Sequence, residues 1–244
     1  MCPKVSIVIA TYNSSKTIRT ALESVLKQKF CDWECIIVDG NSSDSTVDIV
    51  KEFVVKDSRF SFISEKDNGI YDAFNKGWKR SKGEWIHYLG SDDKLTENSF
   101  LPFFSSQNDE FAVLSGSAYI QKQDNTVVLQ KSNLWEGCHQ AKLTRRSVIE
   151  SLNGFDEKYK ILADLDLYVR MKNAGYLVRN IEDPIAYFAM DGVSQKISTL
   201  FRRYNEYLSI FKSDKTESHP RTHAFIILVR SFMSILYRKI RKFM

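Results

Sequence analysis

The chain has 244 residues, 43% apolar and 27% charged, the make-up of a globular protein with a sizeable core. Those figures exclude disorder, a collagen repeat and a multi-pass membrane protein. Its formal charge of +5 is unevenly placed: six of the 35 basic residues and none of the 30 acidic ones lie in 218–244, so the body before them carries −1 and the question of nucleic acid narrows to what this tail touches.

Along the chain, Val5 to Ala10 is a β-branched run that reads as a buried strand, followed by the polar group Thr11-Tyr12-Asn13-Ser14-Ser15. Apolar Ile18, Ala21, Leu22, Val25 and Leu26 then recur at helical spacing, with Ser14 or Ser15 as the expected cap. Trp33 to Val38 is a second strand, ending in Asp39-Gly40-Asn41-Ser42-Ser43-Asp44 and leading to a helix over roughly 45–55 that Asp44 or a neighbouring Ser would cap. Phe60 to Ser64 is a third strand, Ile70 to Lys79 a helix entered through Asn68-Gly69, and Glu84 to Leu89 a fourth strand that stops at Gly90-Ser91-Asp92-Asp93. Strand and helix alternating at this spacing predict right-handed crossovers, hence an α/β fold with a mainly parallel sheet and helices on both faces.

The second half is less regular. Strands are expected at 111–121 and 126–130, and helices near 145–152, 164–174, 196–212 and 222–243. No Pro- or Gly-rich linker divides the chain, so the reading is one domain over 1–215 and a basic helical appendage over 216–244. Met1-Cys2-Pro3-Lys4 lacks the basic and apolar regions of a secretory signal, and the four cysteines (Cys2, Cys31, Cys35, Cys138) are too few for a disulfide scaffold. Reduced, mostly buried thiols and a cytoplasmic protein are expected.

In a parallel sheet the ligand crevice lies beyond the carboxyl ends of the strands. Here four such ends carry polar groups: Thr11-Tyr12-Asn13, Asp39-Gly40-Asn41-Ser42, Glu65-Lys66-Asp67-Asn68 and Ser91-Asp92-Asp93. Any one of them could be a turn or a cap. Four on one edge suit a nucleotide, with carboxylates for base and ribose, an aromatic ring for stacking and amides for polar edges. Neither G-x-G-x-x-G after the first strand nor a P-loop motif occurs, so a diphosphate needs another source of positive charge. Asp92-Asp93 after a buried strand could supply it by holding a divalent cation through hard oxygen ligands.

These groups, in this order, resemble the inverting glycosyltransferases of family 2, which have the GT-A fold. VSIVIATYN, WECIIVDGNSSDST, EKDNGIYDAFNKGW, GEWIHYLGSDD, HQAKLTRRSVIE, GFDEKY and ADLDLYVR carry the resemblance over roughly three quarters of the chain, and DNGIYDAFNKG is particularly similar to bacterial enzymes of surface-polysaccharide and lipopolysaccharide synthesis. The resemblance implies that Thr11, Tyr12, Asn13 and Asp39 line the base pocket, with Asn41 and Ser42 close by. It further implies that Asp67, Asn68 and Asp72 lie beside the donor, with Lys66 near the phosphates. Ser91-Asp92-Asp93 stands where the family has its DxD motif, with Ser91 in place of the first acid. Asp93 would be the ligand of a manganese or magnesium ion and Asp92 would face ribose or metal.

Asp164 aligns with the family's catalytic base, although Ala163 stands where the family has Glu; Asp166 is the reserve candidate. Read without the resemblance, Asp164 could be a helix cap and Asp166 a first-turn carboxylate. His139-Gln140 would lie near acceptor or phosphates, and Gly192-Val193-Ser194 would form a loop closing over the site, Ser194 included.

The implied reaction is transfer of a sugar from a nucleotide-sugar, a UDP-sugar by resemblance, to a lipid-linked cell-surface glycan. The alternatives are a sugar-phosphate nucleotidyltransferase, for which TYNSSK is a poor phosphate loop, and a non-catalytic nucleotide-sugar-binding or partner subunit. In the tail, Phe225, Leu228, Val229, Phe232, Leu236, Ile240 and Phe243 share a helical face opposite Arg230, Arg238, Arg241 and Lys242, while Ile227 and Lys239 break the pattern. That suits a helix lying in the surface of an anionic bilayer and a protein held at the inner face of the cell membrane. Docking on the catalytic domain or on a second subunit, as in a homo-oligomer, is the alternative. Nucleic acid is not expected, because the crevice is acidic.

Overall fold

The computed structural model describes residues 2–105, 110–121, 126–131, 139–189 and 197–241. Strands β1 (Val5–Thr11), β2 (Trp33–Asp39), β3 (Phe60–Ser64) and β4 (Trp85–Gly90) alternate with helices α1 (Ile18–Leu26), α2 (Thr46–Lys56) and α3 (Ile70–Arg80). Then come β5 (Lys94–Leu95), β6 (Phe111–Gln121), β7 (Val127–Gln130), β8 (Lys142–Arg145), α4 (Arg146–Ser151), α5 (Ala163–Asn173), β9 (Leu177–Ala189), α6 (Leu200–Ser213) and α7 (Pro220–Arg241). The strands form one sheet in the order β3-β2-β1-β4-β8-β6-β9-β5, with β7 added to β6. The four strands β3, β2, β1 and β4 are parallel. β8 is antiparallel to both β4 and β6, and β9 runs parallel to β6. This is the mixed, mainly parallel GT-A sheet with helices on both faces.

All seven residues of β1 are buried, because helices cover the sheet on both sides. Val5, Ile7 and Ile9 pack with α1 and α2 through Ile18, Leu22, Val50 and Phe53. Val8 and Ala10 face the other layer, where α3, α5 and α6 bring Phe74, Trp78, Leu167 and Ile210. Parallel register brings the strand ends level: Thr11 pairs with Asp39, Asp39 with Ser64, and Ala10 with Gly90.

Several details differ from the sequence reading. β5, β8 and the 13-residue β9 were not expected. Neither Ser14 nor Ser15 caps α1 by its side chain; the Ser14 carbonyl accepts from Thr17 and Ile18 instead. Asp44 does serve α2, accepting from the Thr46 amide at 3.0 Å and from the Ser15 amide at 3.1 Å. Cys2 and Cys31 are exposed free thiols and only Cys35 is buried, where desolvation pushes its thiol well up; Cys138 lies outside the described residues.

The tail helix α7 docks on α6. Ala224 is buried, Ile227 and Leu228 are half-buried, and Ser231 accepts from Arg203 at 3.0 Å. The opposite side exposes Phe225, Ile226, Val229, Phe232 and Met233. The exposed stripe is therefore rotated from the expected one: Leu228 is half-buried, Ile226 and Met233 join the outer face, and Ile227 lines a cavity. The side chains of Leu236, Arg238, Lys239, Ile240 and Arg241, and all of Lys242 and Phe243, lie outside the described residues. No described helix is long and apolar enough to cross a membrane.

Candidate active site

The first three strand ends form one hydrogen-bonded unit. Asp39 is fully buried, and its carboxylate accepts from the Ser42 amide at 2.9 Å, the Ser42 hydroxyl at 2.5 Å and the Ser64 hydroxyl at 2.6 Å. Ser42 Oγ in turn accepts from the Asn13 amide at 2.8 Å, and Asn13 Oδ1 accepts from the Ser43 amide at 2.8 Å. Asn13 and Asn41 both have positive φ, 48° and 66°, a conformation Asn tolerates better than most residues. Thr11 is buried beside Asp39, whereas the Tyr12 ring is 63% exposed, a free aromatic face over the crevice. A Cβ on Gly40 would come within 2.5 Å of Asp67 Oδ2 and 3.3 Å of the Tyr12 ring, so only glycine lets these two groups meet over the end of β2.

The loop before α3 is held by its own first turn. Asp67 accepts from the Gly69 amide at 3.0 Å and Asp72 from the Asn68 amide at 2.8 Å. Lys76 joins the cluster through Glu65 at 3.1 Å and Asp72 at 3.5 Å, and donates to the Lys66 carbonyl at 2.9 Å; the Lys66 residue itself is exposed. Sequence reasoning placed Glu65 in the crevice group but missed Ser64 and Lys76. The lysine lies four residues after Asp72 on one helix face, a spacing that could have found it.

At the end of β4, Ser91 Oγ lies 2.9 Å from Ser14 Oγ, tying the acidic turn to the first loop. Asp92 is exposed. Asp93 is buried, its Oδ1 accepting from the Ala189 amide at 2.9 Å and its Oδ2 from Gln140 Nε2 at 2.8 Å. A Cβ on Gly90 would lie 2.4 Å from Asp93 Oδ2 and 2.9 Å from Asp92 Oδ1, so the two carboxylates converge over bare backbone. Burial, then the Asp92 charge, pushes the Asp93 carboxyl up to about 6. A pair of converging carboxylates, one buried and raised by the charge of the other, is a donor set suited to a hard divalent cation. Among the described residues no group of three or more His, Cys, Asp or Glu side chains could complete a cage, so phosphate and water oxygens would have to fill the remaining positions.

Asp164 stands in the first turn of α5. Its Oδ2 lies 3.2 Å from His139 Nδ1, and its Oδ1 accepts from the Leu165 amide at 2.9 Å and from the Tyr71 hydroxyl at 3.1 Å, which also reaches the Ile161 carbonyl at 2.7 Å. Burial alone would raise this carboxyl, but His139, the Leu165 amide and Tyr71 together outweigh it, and the net effect lowers it. Asp164 is thus ionised at neutral pH and free to accept a proton. The loop leading into α5 is fixed by Glu206 of α6, whose carboxylate accepts from the amides of Lys160, Ile161 and Leu162 at 2.9, 3.1 and 3.0 Å. The sequence offered no signal for Glu206 or for Tyr71 in these positions.

Asp166, the reserve candidate, is buried on a different side of α5. It pairs with Arg170 at 2.7 Å, and Arg170 also donates to the Leu152 and Gly154 carbonyls. That structural pairing separates it from the Asp164 cluster. His139 and Gln140 contact Asp164 and Asp93 respectively, while Ser194 and its loop lie outside the described residues.

A mixed sheet whose parallel strands end in a polar crevice, with an ionised carboxylate beside it, is the plan of the GT-A glycosyltransferases. Residues 6–155 match the family model described as "Glycosyl transferase family 2". The chain belongs to that family. It is 30% identical over 209 residues to the "PGL/p-HBAD biosynthesis glycosyltransferase" of Mycobacterium bovis, covering 80% of each chain. It is 29% identical over 125 residues to the "GalNAc(5)-diNAcBac-PP-undecaprenol beta-1,3-glucosyltransferase" of Campylobacter jejuni, covering 50% of this chain and 40% of that one. Among solved structures, S. aureus TarS 1–349 in complex with UDP-GlcNAc superposes with a TM-score of 0.69 at 21% identity, over 94% of this chain and 71% of that one. The chain spans 43% of the longer TarS chain. The mannosyltransferase PcManGT from Pyrobaculum calidifontis, in complex with GDP-Man and Mn2+, has a TM-score of 0.71 at 15% identity, over 99% of this chain and 76% of that one.

Proposed function

We propose that this glycosyltransferase moves a sugar from a UDP-sugar to a hydroxyl of a lipid-linked glycan in a single in-line displacement that inverts the anomeric centre. The observation that carries the reading is Asp164, one ionised carboxylate held by His139 and Tyr71 while the acidic turn at Asp92-Asp93 is tied to the neighbouring residue Gln140. One positioned base suffices for direct displacement, since the acceptor oxygen is the nucleophile and no covalent intermediate is required.

Tyr12 would stack on the base, Asp39 would recognise its polar edge, and Thr11, Asn13, Asn41 and Ser42 would shape the pocket around it. Asp67, Asn68 and Asp72 would lie along the donor, with Lys66 at the phosphates and Ser91 beside Asp92. Asp93 and Asp92 would hold a manganese or magnesium ion, which when bound neutralises charge on the diphosphate. Asp164 accepts the proton of the acceptor hydroxyl as the new glycosidic bond forms. Tyr71 and His139 keep its carboxylate oriented and ionised. The C. jejuni relative, whose name carries an undecaprenol-linked glycan, supports a lipid-linked acceptor for this chain.

The same reading places α7 at a membrane surface. Its outer stripe of Phe225, Ile226, Val229, Phe232 and Met233 is flanked on the wheel by Arg221 on one side and Arg230 on the other, the pattern of an interfacial helix on anionic lipid. The catalytic reading is tested by donor-dependent release of UDP in the presence of manganese. Release with acceptor membranes that stops on chelation supports it; a purified chain that binds no nucleotide-sugar from a broad panel overturns it.

A further inference from the structure

Asp164 and His139 line a cavity of about 360 Å³, and the tail helix lines it too. α7 contributes His223 and Ile227, α6 contributes Tyr207 and Phe211, and the connection between them contributes Asp214 and Glu217. The wall is built rather than incidental. Tyr207 stacks on Phe211 with centroids 5.6 Å apart and planes 28° apart, and Phe211 stacks on His223 at 4.5 Å and 13°, so one aromatic ladder runs from α6 into α7. Glu217 accepts from His223 Nδ1 at 2.7 Å and from the His219 amide at 2.8 Å, which pins the first turn of α7 to the connection.

We propose that this cavity is where the accepting sugar sits and that His223 and Ile227 of α7 select which pyranoside enters it, so the tail helix is part of the active site. The inference rests on the transferase reading. A pyranose offers an apolar C–H face and a rim of hydroxyls. Aromatic rings match the first, and the polar lining matches the second through Thr216, Glu217 and the Lys172–Asp214 pair, which are 3.0 Å apart. The base at Asp164 lines the same cavity, where the attacking hydroxyl must lose its proton. α7 thereby has two faces with two tasks: Ile227 and His223 towards the sugar, and Phe225, Val229 and Phe232 outward.

The test uses the full chain and two ligands. UDP with manganese is titrated first by calorimetry; absence of UDP binding would remove the transferase reading itself. The UDP-loaded chain is then titrated with the p-nitrophenyl pyranosides of glucose, galactose, mannose, N-acetylglucosamine and N-acetylgalactosamine. At least one is expected to bind, and Ile227→Trp, which fills the cavity, should weaken it about tenfold or more while UDP affinity holds within about twofold. His223→Ala, which leaves buried Ala224 and the Arg203–Ser231 bond between α6 and α7 in place, should weaken the same pyranoside about fivefold and decides the matter if Ile227→Trp lowers the melting temperature. A chain that binds UDP but none of the pyranosides, or binds them equally well after His223→Ala and a folded Ile227→Trp, overturns the inference.

Discussion

Asp93 and Asp164 are held by two consecutive residues: Gln140 donates to Asp93 Oδ2 at 2.8 Å, and His139 meets Asp164 Oδ2 at 3.2 Å. The acidic turn at the end of β4 and the carboxylate on α5 therefore share one support. A displacement of that dipeptide would move both groups together. Asp164→Asn keeps the shape and removes the proton-accepting charge. Turnover should fall by about 10²–10⁴-fold, the usual weight of a general base, while UDP affinity measured by calorimetry stays as it was. Normal turnover in a purified assay would remove Asp164 from the role.

His139 has a more specific signature than lost activity. Burial drives the Asp164 carboxyl up, and His139 is the largest influence drawing it down. In His139→Ala that opposing influence is gone, so the carboxyl titrates at higher pH and protonation of the base begins earlier on acidification. The acidic limb of the pH–rate profile should move to higher pH, with the plateau at alkaline pH the least affected. A profile that falls uniformly without moving would mean that His139 acts only through packing.

Cation binding at Asp93 should compete with the proton. With its carboxyl at about 6, Asp93 is largely ionised at pH 7.5, whereas roughly a tenth is ionised at pH 5. Manganese affinity, followed by electron paramagnetic resonance of the free ion, should drop about tenfold between those two values and should be weak at both in Asp93→Asn. A cation affinity indifferent to pH would place the ion away from Asp93.

The parts of the fold that were legible in the sequence are those whose burial is uniform. β1, β2 and β4 are covered on both faces and read as nearly continuous apolar runs, interrupted only by Ser6, Glu34 and His87, so strand ends and crevice groups could be located together. β9 could not be read that way. Its 13 residues mix exposed, half-buried and buried positions, include Pro184, and slip register against β6 twice in the stretch that pairs with Ser115, Ser117 and Ala118. Asp164 was visible as an acid at a helix start, but the groups that set its charge come from α3 and from the turn before β8. Helical periodicity located an apolar stripe on α7 but could not say which part α6 covers, so Leu228 was assigned outward and Ile227 was set aside.

The docking of α7 changes how membrane attachment has to be measured. Deleting 222–244 removes the exposed stripe and the cavity wall at once, so loss of activity after deletion cannot be attributed to release from lipid. Phe225→Ser with Phe232→Ser alters the outer face alone, since both side chains are exposed. Flotation with vesicles of phosphatidylglycerol and phosphatidylethanolamine should show the double variant shifted from the vesicle fraction to the free fraction, with its UDP affinity retained. Equal flotation of both proteins would show that the stripe does not meet lipid.

Glu206 is the positioning residue with the clearest cost. Its carboxylate accepts three successive backbone amides, those of Lys160, Ile161 and Leu162, immediately before the helix that carries Asp164. Glu206 is buried, so in Glu206→Ala these donors lose their partner in a place water reaches poorly. A loss of about 2–4 kcal/mol is expected from hydrogen bonds to a charged group of this kind. In Glu206→Gln the amide oxygen can still accept, though without the charge, so the loss should be about half as large. Urea denaturation reads both values directly. If Glu206 also sets the placement of Asp164, Glu206→Gln should lower turnover more than it lowers UDP affinity, because the donor crevice is built on other strand ends. Equal stability of all three proteins would show that the α5 entrance holds its shape without this carboxylate.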